Sequence, residues 1–443
     1  MTKPSAPFTR RKFLLTAGAT TLGAVLLKGC TQSNASNPQT SNIAGVIDQG
    51  SGQSARIGFV GQTDAAPLII AQAKGFFAKH GVPDVKLLKQ PSWGVTRDNL
   101  ELGSAGGGLD GAMVLSPLPY QMSLGTVTKG KKQIPMYIVA RLNIDGQGIS
   151  VSNAHKDIDV SLDTSKLKAK ADQAKADKKP LRFGMTFKGG TSDTMLRYWL
   201  ASGGIDPDKD VSVLVVPGPQ LVSNVRVGNL DGFCVGDPWN ERLVREKLGY
   251  TAIVTGEFWK NHPEKALSFR ADWMDKNPQT AKGILKAVLE AQQWCDNMEN
   301  REELCKILAQ RKWAKVKVDY IEDRLKGKVN YGNDRQIVEN SPYLMRYWND
   351  NASYPYQSHD LWFLTENIRW GNLPPTLDTK AIIKAVNRED LWREAAKEIG
   401  VAAADIPISP SKGIETFFDG VTFDPENPQA YLDSLKIKNI KQV

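Results

Sequence analysis

The stretch LDGFCVGDPWN at Leu230–Asn240 predicts a short buried strand, with Leu-Asp-Gly turning into it and Gly-Asp-Pro ending it. The same phrase occurs earlier as LDGAMVLSP at Leu109–Pro117, and in both copies the proline lies eight residues after the leucine. Upstream, NLELG at Asn99–Gly103 and NVRVG at Asn224–Gly228 are typical of a last helical turn closed by a left-handed glycine. One helix–turn–strand unit therefore occurs twice, which predicts two similar lobes that face each other.

Strands and helices alternate around both copies of this unit. The two rounds begin with the predicted strands Arg56–Val60 and Leu181–Phe187, and a charged stretch at residues 156–180, predicted to be a solvated helix, separates them. Alternation of this kind predicts an α/β fold with a parallel-type sheet in each lobe. Ligands of such sheets lie at the carboxyl ends of strands, where loops meet helix N-termini. From Ala266 onward the pattern becomes helical and is expected to complete the first lobe and wrap around it.

Charge and length narrow the class of protein. The 443 residues are enough for two lobes with substantial cores, and the formal charge is +9. Residues 1–29 carry five bases and no acid, so the remainder has a charge of only +4 and contains no dense basic run. We therefore expect no nucleic-acid partner.

The first thirty residues have the features of an export signal. TRRKFLL at Thr9–Leu15 matches a twin-arginine signal, and the apolar stretch that ends at Leu27 is too short to span a membrane. LLKGC at Leu26–Cys30 is similar to a lipobox, although Lys28 departs from its usual small or apolar residue. Lipidation of Cys30 is favoured over an ordinary cleaved signal with an incidental cysteine. Residues 31–55 are polar and predict a flexible tether.

Signals for catalysis and metal binding are weak. The four histidines are scattered without zinc spacing, and neither a nucleophile elbow nor a phosphate-binding loop is present. Cys234 falls in the predicted buried strand, while Cys295 and Cys305 fall in a helical region where pairing stays open. The sequence therefore predicts a protein that is not an enzyme and has neither cofactor nor metal.

Backbone donors and one lysine are candidates for binding a small anion. Predicted helices begin after Thr63 and Thr191, and helix N-termini favour anions; Gly189-Gly190 allows close approach of the backbone. Lys265 lies where the chain returns to the first lobe, so it is either the counter-charge of an anion or a surface lysine beside Glu264.

At these residues the chain resembles the solute-binding lipoproteins of bacterial nitrate/nitrite and bicarbonate ABC importers. The similarity runs from about Ile57 to the C-terminus and is carried by the segments Thr63–Ile70, Ser92–Gly103, Gly146–Ser150, Arg197–Leu200, Phe233–Asn240, His262–Leu267, Ser358–Thr365 and Glu415–Pro425. It implies a C-shaped, two-lobed periplasmic-binding-protein fold of type II with the ligand in the cleft between lobes. The expected organisation is a signal at 1–30, a tether at 31–55, first-lobe segments at 56–153 and 263–443, and a second lobe at 154–262.

The resemblance also implies a set of pocket residues, namely Trp93, Gln147, Gly190, Thr191, Ser192, Asp193, Gly236 and Lys265. Nitrate-binding members resemble this chain in having lysine at the position of Lys265, whereas bicarbonate-binding members carry an acid and recruit calcium. Ser192 departs from the histidine usual in nitrate-type members, which leaves nitrite, cyanate or bicarbonate open. The charge of Lys265 outweighs this difference, because a charge in a dry cleft exceeds one neutral hydrogen bond.

The predicted function is therefore capture of nitrate, with nitrite as a second ligand, on the periplasmic face of the membrane and delivery to a permease with ATPase subunits. A thiamine-pyrimidine precursor-binding protein or enzyme of the same fold is the alternative from another class, and the export signal speaks against it. A ligand-sensing domain with a regulatory partner would need further sequence.

Overall fold

The computed structural model describes residues 54–441; the predicted signal, Cys30 and most of the predicted tether lie outside this part of the chain. The strands of the described part are β1 (Ala55–Val60), β2 (Val85–Gln90), β3 (Gly111–Leu115), β4 (Met136–Ile144), β5 (Gln147–Ser152), β6 (Arg182–Met185), β7 (Ser212–Val215), β8 (Gly232–Gly236), β9 (Gly249–Val254), β10 (Pro263–Arg270), β11 (Glu415–Thr416) and β12 (Thr422–Phe423).

The helices are α1 (Ala66–Ala73), α2 (Phe76–Lys79), α3 (Trp93–Leu102), α4 (Leu118–Ser123), α5 (Ser165–Ala176), α6 (Thr191–Ser202), α7 (Gly218–Arg226), α8 (Trp239–Arg245), α9 (Thr255–Phe258), α10 (Ala271–Lys276), α11 (Pro278–Asp296), α12 (Arg301–Ala309), α13 (Glu322–Leu325), α14 (Gln357–Arg369), α15 (Thr379–Val386), α16 (Glu389–Glu398) and α17 (Pro428–Ser434). Among residues 54–441, every helix is too short or too polar to cross a bilayer.

Two five-stranded sheets of the same topology form the two lobes. The strand order is β2-β1-β3-β10-β4 in the first lobe and β7-β6-β8-β5-β9 in the second. β1 is parallel to β2 and β3, as β6 is to β7 and β8, whereas β10 and β5 run antiparallel to their neighbours. The α/β prediction is confirmed, but the sheets are mixed, because the fourth strand of each sheet enters from the other lobe.

The duplicated phrase occupies the same place in both sheets. β3 and β8 are equivalent third strands, and the aspartate before each holds the first strand of its sheet. Asp110 accepts a hydrogen bond from the N–H of Arg56 at 2.9 Å, and Asp231 accepts one from the N–H of Arg182 at 2.8 Å. The repeat therefore encodes the register of the central strands.

The glycine of the duplicated phrase is required by close strand packing. A Cβ at Gly111 would lie 2.8 Å from the carbonyl oxygen of Ser268, and one at Gly232 would lie 2.6 Å from that of Ser150. These carbonyls belong to β10 and β5, the strands that arrive from the opposite lobe. Glycine at both positions thus allows each crossing strand to pair with its sheet.

Two connections between strands of different sheets join the lobes. β4 passes into β5 through the left-handed pair Asp145 (φ +55°) and Gly146 (φ +90°), and β9 passes into β10 through α9. His262 ties them together, because its Nε2 lies 2.8 Å from Thr255 Oγ1 and its carbonyl accepts from the N–H of Asp145 at 3.0 Å. These two connections are the structural elements about which the lobes could rotate.

The aromatic-rich C-terminal part contributes to the core, and Trp362 and Phe417 are buried there. Two local interpretations of the sequence differ from the structure: a single helix over Leu68–Lys79, and Trp93 on the loop before the next helix. The helix expected over Leu68–Lys79 is divided at Gly75, whose φ of +75° is left-handed. Trp93 begins α3 instead of preceding it, with Ser92 as the cap. Cys234 is buried, as predicted, and Cys295 and Cys305 are buried as well; all three are free thiols.

Candidate functional site

Three charged side chains are buried together where the two sheets meet. Lys265, Asp64 and Glu264 are each at most 1% exposed. The Nζ of Lys265 lies 2.9 Å from Asp64 Oδ2 and donates to Glu264 Oε1. We call these three residues the charge cluster. A buried ion pair depends on complete pairing, because an isolated charge would cost several kcal/mol.

Local structure places all three side chains on the cleft side. Asp64 lies in the single 3-10 turn Thr63–Ala65 that directly follows β1. Glu264 and Lys265 are neighbours in β10, and neighbours in a regular strand point to opposite faces. The pairing of β10 with β4 is irregular at Lys265, and this bulge allows both side chains to reach the cluster.

The second lobe supplies polar groups to the same place. Gln147, at the start of β5, donates from Nε2 to Glu264 Oε2. Thr191, the first residue of α6, donates from Oγ1 to Glu264 Oε1 at 3.0 Å. Gly236 ends β8 so close by that a Cβ there would lie 2.8 Å from Asp64 Oδ2. The charge cluster is therefore a contact between the lobes.

An aromatic ring and a helix N-terminus complete the surroundings. The ring centroid of Trp93 lies 5.5 Å from Lys265 Nζ, within the range of a cation–π interaction. Gly190 precedes α6 and has no side chain to cap it, so the first N–H groups of the helix are left for another acceptor. Both features suit a site that takes a small anion.

The side chains of Ser192 and Asp193 are engaged elsewhere, unlike the other predicted pocket residues. Ser192 Oγ accepts from the N–H of Thr186 at 3.2 Å and pairs with its hydroxyl. Asp193 accepts from the N–H of Gly189 and from Arg197 Nε, each at 2.7 Å. These side chains hold the loop that orients α6, and only their backbone N–H groups remain for the cleft.

The net charge of the cluster is not the positive one expected from Lys265 alone. Burial, opposed by Lys265 and reinforced by Glu264, raises the pKa of Asp64 to about 7. Burial favours the neutral form of Lys265, but the two carboxylates outweigh it and raise the pKa of this ammonium. With both acids ionised the cluster carries a net charge of −1, so the lysine does not make the cleft positive by itself.

Asp64 and Glu264 are the two site residues that sequence reasoning missed. The side chains of Thr63 and Asp64 precede α1 but neither caps it; Thr63 instead donates to the carbonyl of Asp237 at 3.1 Å. The alternative of a surface Lys265 is wrong, because this side chain is 1% exposed. A lysine next to a glutamate, followed directly by the apolar residues Ala266 and Leu267, is the signal that could have indicated a buried pair.

A cavity of about 780 Å³ lies at the edge of the cleft, between Gly61 of the first lobe and Trp239 of the second. Its charged lining residues are one acid, Glu246, and five bases: Lys89, Arg242, Arg311, Lys315 and Lys317. We call this space the basic cavity. Within residues 54–441, no group of three or more His, Cys, Asp or Glu side chains is arranged to hold a metal ion.

Comparison with known proteins gives consistent matches over nearly the whole chain. The model of the NMT1-like family matches residues 48–309. The nitrate/nitrite binding protein NrtA of Synechococcus elongatus is 57% identical over 441 residues, which cover 98% of this chain and 99% of that protein. The bicarbonate-binding protein CmpA of the same species is 43% identical over 454 residues, covering 98% of each. The crystal structure of the periplasmic nitrate-binding protein NrtA from Synechocystis superposes with a TM-score of 0.85 at 58% identity, covering 87% of this chain and 99% of that one.

Proposed function

The chain belongs to the NMT1-like family, and from this premise we propose that it is the periplasmic solute-binding component of an ABC importer, with nitrate as its ligand and nitrite as a second. The nitrate-binding relatives support this role, since they are similar over almost their full length. The observation that carries the ligand assignment is Lys265, a buried lysine with donors of the opposite lobe around it. Lys265 is proposed to bind the ligand and to take part in no reaction.

The donors around Lys265 match the geometry of a planar oxyanion. Lys265 Nζ, Gln147 Nε2 and Thr191 Oγ1 converge on the two oxygens of one carboxylate, so they can also converge on two oxygens of nitrate. The N-terminus of α6 and the backbone at Gly236 would meet the third oxygen. Because Lys265 belongs to one lobe and Gln147 to the other, the anion would hold the lobes closed.

Cellular location is part of the same proposal. The twin-arginine signal would export the protein, and a lipid on Cys30 would hold it at the periplasmic face of the membrane through the tether of residues 31–55. The captured anion would pass to a permease driven by ATPase subunits. We assign the first lobe to residues 56–145 and 263–443 and the second to residues 146–262, a boundary eight residues earlier than the one predicted at 153, because β5 pairs with β8 and β9 of the second sheet.

Bicarbonate is the second candidate, because CmpA is 43% identical to this chain. The resemblance implies an acid and a calcium ion in bicarbonate-binding members, whereas this chain has Lys265 there. Nitrate is therefore favoured over bicarbonate, and cyanate, another monovalent anion, belongs in the same test.

Calorimetric titration of the purified chain from residue 31 onward would test the ligand. We expect saturable heat with nitrate and nitrite, and none with bicarbonate in the presence or absence of calcium. Binding of bicarbonate with calcium but not of nitrate would contradict the proposal, as would the absence of heat with all four anions, cyanate included.

A further inference from the structure

The Glu264 carboxylate receives the hydrogen bonds that the proposed function assigns to the ligand. Its two oxygens accept from Gln147 Nε2, from Thr191 Oγ1 at 3.0 Å and from Lys265 Nζ. The side chain is fully buried. A carboxylate is a planar oxyanion of charge −1, as nitrate is, so the two compete for the same donors.

Charge gives a second, independent reason why the two should exclude each other. Lys265 is the cation in contact with both Glu264 and Asp64, whose Oδ2 lies 2.9 Å from its Nζ. An added anion next to two ionised carboxylates would be repelled strongly, because charge interactions are screened little in a buried site. An anion can therefore pair with Lys265 only when one of the two carboxylates no longer contacts this lysine.

We propose that Glu264 is an internal competitor of the ligand: its carboxylate accepts from the donors that the anion needs, and the anion must take these donors from it. This inference rests on the proposed function and makes Glu264 a residue that sets affinity and selectivity. An anion that binds must accept from Gln147, Thr191 and Lys265 at least as well as a carboxylate does. Weak acceptors such as chloride, with no planar oxygens, are thereby rejected.

The first test is nitrate titration of Glu264→Gln. The amide keeps the size of the side chain but is a neutral acceptor, and hydrogen bonds to a neutral acceptor are roughly half as strong as those to a carboxylate. We expect the variant to bind nitrate about tenfold or more tightly than the unmodified protein. Unchanged or weaker binding by a folded Glu264→Gln protein would overturn the inference.

Asp64→Asn is the matched control for removal of charge alone. It also deletes one carboxylate in contact with Lys265, but Asp64 accepts from neither Gln147 nor Thr191. Its gain in nitrate affinity is expected to be smaller than that of Glu264→Gln. An equal gain would show that Glu264 acts through its charge and not by occupying the position.

Formate gives a second measurement that does not depend on affinity changes. Formate is a free carboxylate, so it should bind to Glu264→Ala and compete with nitrate, while Asp64→Ala should not gain this property. Failure of folded Glu264→Ala to bind formate, or simultaneous binding of both anions, would overturn the inference. Nitrate binding by the unmodified protein decides the proposed function separately: if it binds while the variants behave otherwise than expected, the internal competitor alone is wrong.

Discussion

At the scale of single residues, the electrostatics of the cleft depend on three charged side chains, one lysine and two acids. Lys265 contacts two carboxylates and the Trp93 ring in a space closed to solvent. Any change of charge there acts without the screening that weakens surface ion pairs. The site is therefore sensitive to substitutions that would be neutral on the surface.

The first prediction concerns the sign of the charge at residue 265. In Lys265→Glu three acids would face each other with no cation among them, so nitrate should be repelled; we expect its affinity to fall by about a hundredfold or more. Calorimetric titration measures this loss. Lys170→Glu, which changes an exposed residue of α5, makes the same change in net charge and should bind normally. Unchanged affinity of Lys265→Glu would show that Lys265 is not the counter-charge.

The second prediction is a dependence of nitrate affinity on pH. Asp64 faces Lys265, Glu264 and, from the loop before α8, Asp237, and burial raises its pKa to about 7. Below pH 7 it is neutral and leaves Lys265 to the anion; above pH 7 it is ionised and competes. Affinity should therefore fall as pH rises from 6 to 8, by up to about tenfold per pH unit. Asp64→Asn should flatten this profile, and a profile of the same slope in both proteins would contradict the assignment.

At the scale of elements, the turn between β4 and β5 joins the lobes and buries an acid. Burial, opposed by Arg346, raises the pKa of Asp145 to about 7. Its left-handed φ of +55° is one that asparagine tolerates well. Gly146 must stay glycine, because φ is +90° and a Cβ would lie 2.0 Å from Met345 Cε.

The third prediction is that Asp145→Asn stabilises the protein at alkaline pH. A carboxyl with a raised pKa in the folded state contributes stability that is lost as pH rises through about 7, since ionisation in the fold is then required. The amide does not ionise, so urea unfolding at pH 8 should show a gain on the order of 2 kcal/mol over the unmodified protein. At pH 4 the two proteins should differ little. A loss of stability at pH 8 would show that the ionised carboxylate is favourable at this turn.

Some strands and site residues could be predicted from local sequence and others could not. The repeated Leu-Asp-Gly phrase predicts β3 and β8 correctly, because its aspartate binds the first strand of the same sheet in both copies. The antiparallel course of β5 and β10 could not be predicted from spacing, since it depends on entry from the other lobe. Glu264 was missed for a different reason. Neighbouring residues of a regular strand point to opposite faces, and the bulge in β10 that brings Glu264 to the same side as Lys265 cannot be recognised in the sequence.

At the scale of the whole molecule, the buried charge cluster and the basic cavity at the edge of the cleft differ in the sign of their charge. The charge cluster is neutral or negative, whereas the basic cavity at the edge of the cleft is positive. Its volume of about 780 Å³ is far larger than a nitrate ion needs. A large basic surface raises the local concentration of anions and thus acts on the association rate more than on the final contacts.

The last prediction therefore separates rate from affinity. A variant in which glutamine replaces four bases of the basic cavity, Lys89, Arg311, Lys315 and Lys317, should associate with nitrate several-fold more slowly at low salt, while its dissociation rate stays the same. Its association rate should also respond less to added salt, because the field that salt screens has been removed. Stopped-flow mixing with nitrate at increasing ionic strength measures both quantities.

The control for this experiment carries the same change of net charge at four exposed lysines on and after α5: Lys166, Lys170, Lys178 and Lys179. These positions lie away from the lining of the basic cavity, so their replacement by glutamine should leave the association rate nearly unchanged. Equal slowing in both variants would mean that net charge alone attracts the anion. A faster dissociation in the cavity variant would mean that these bases bind the anion in its final position, in which case the charge cluster would not be the sole point of capture.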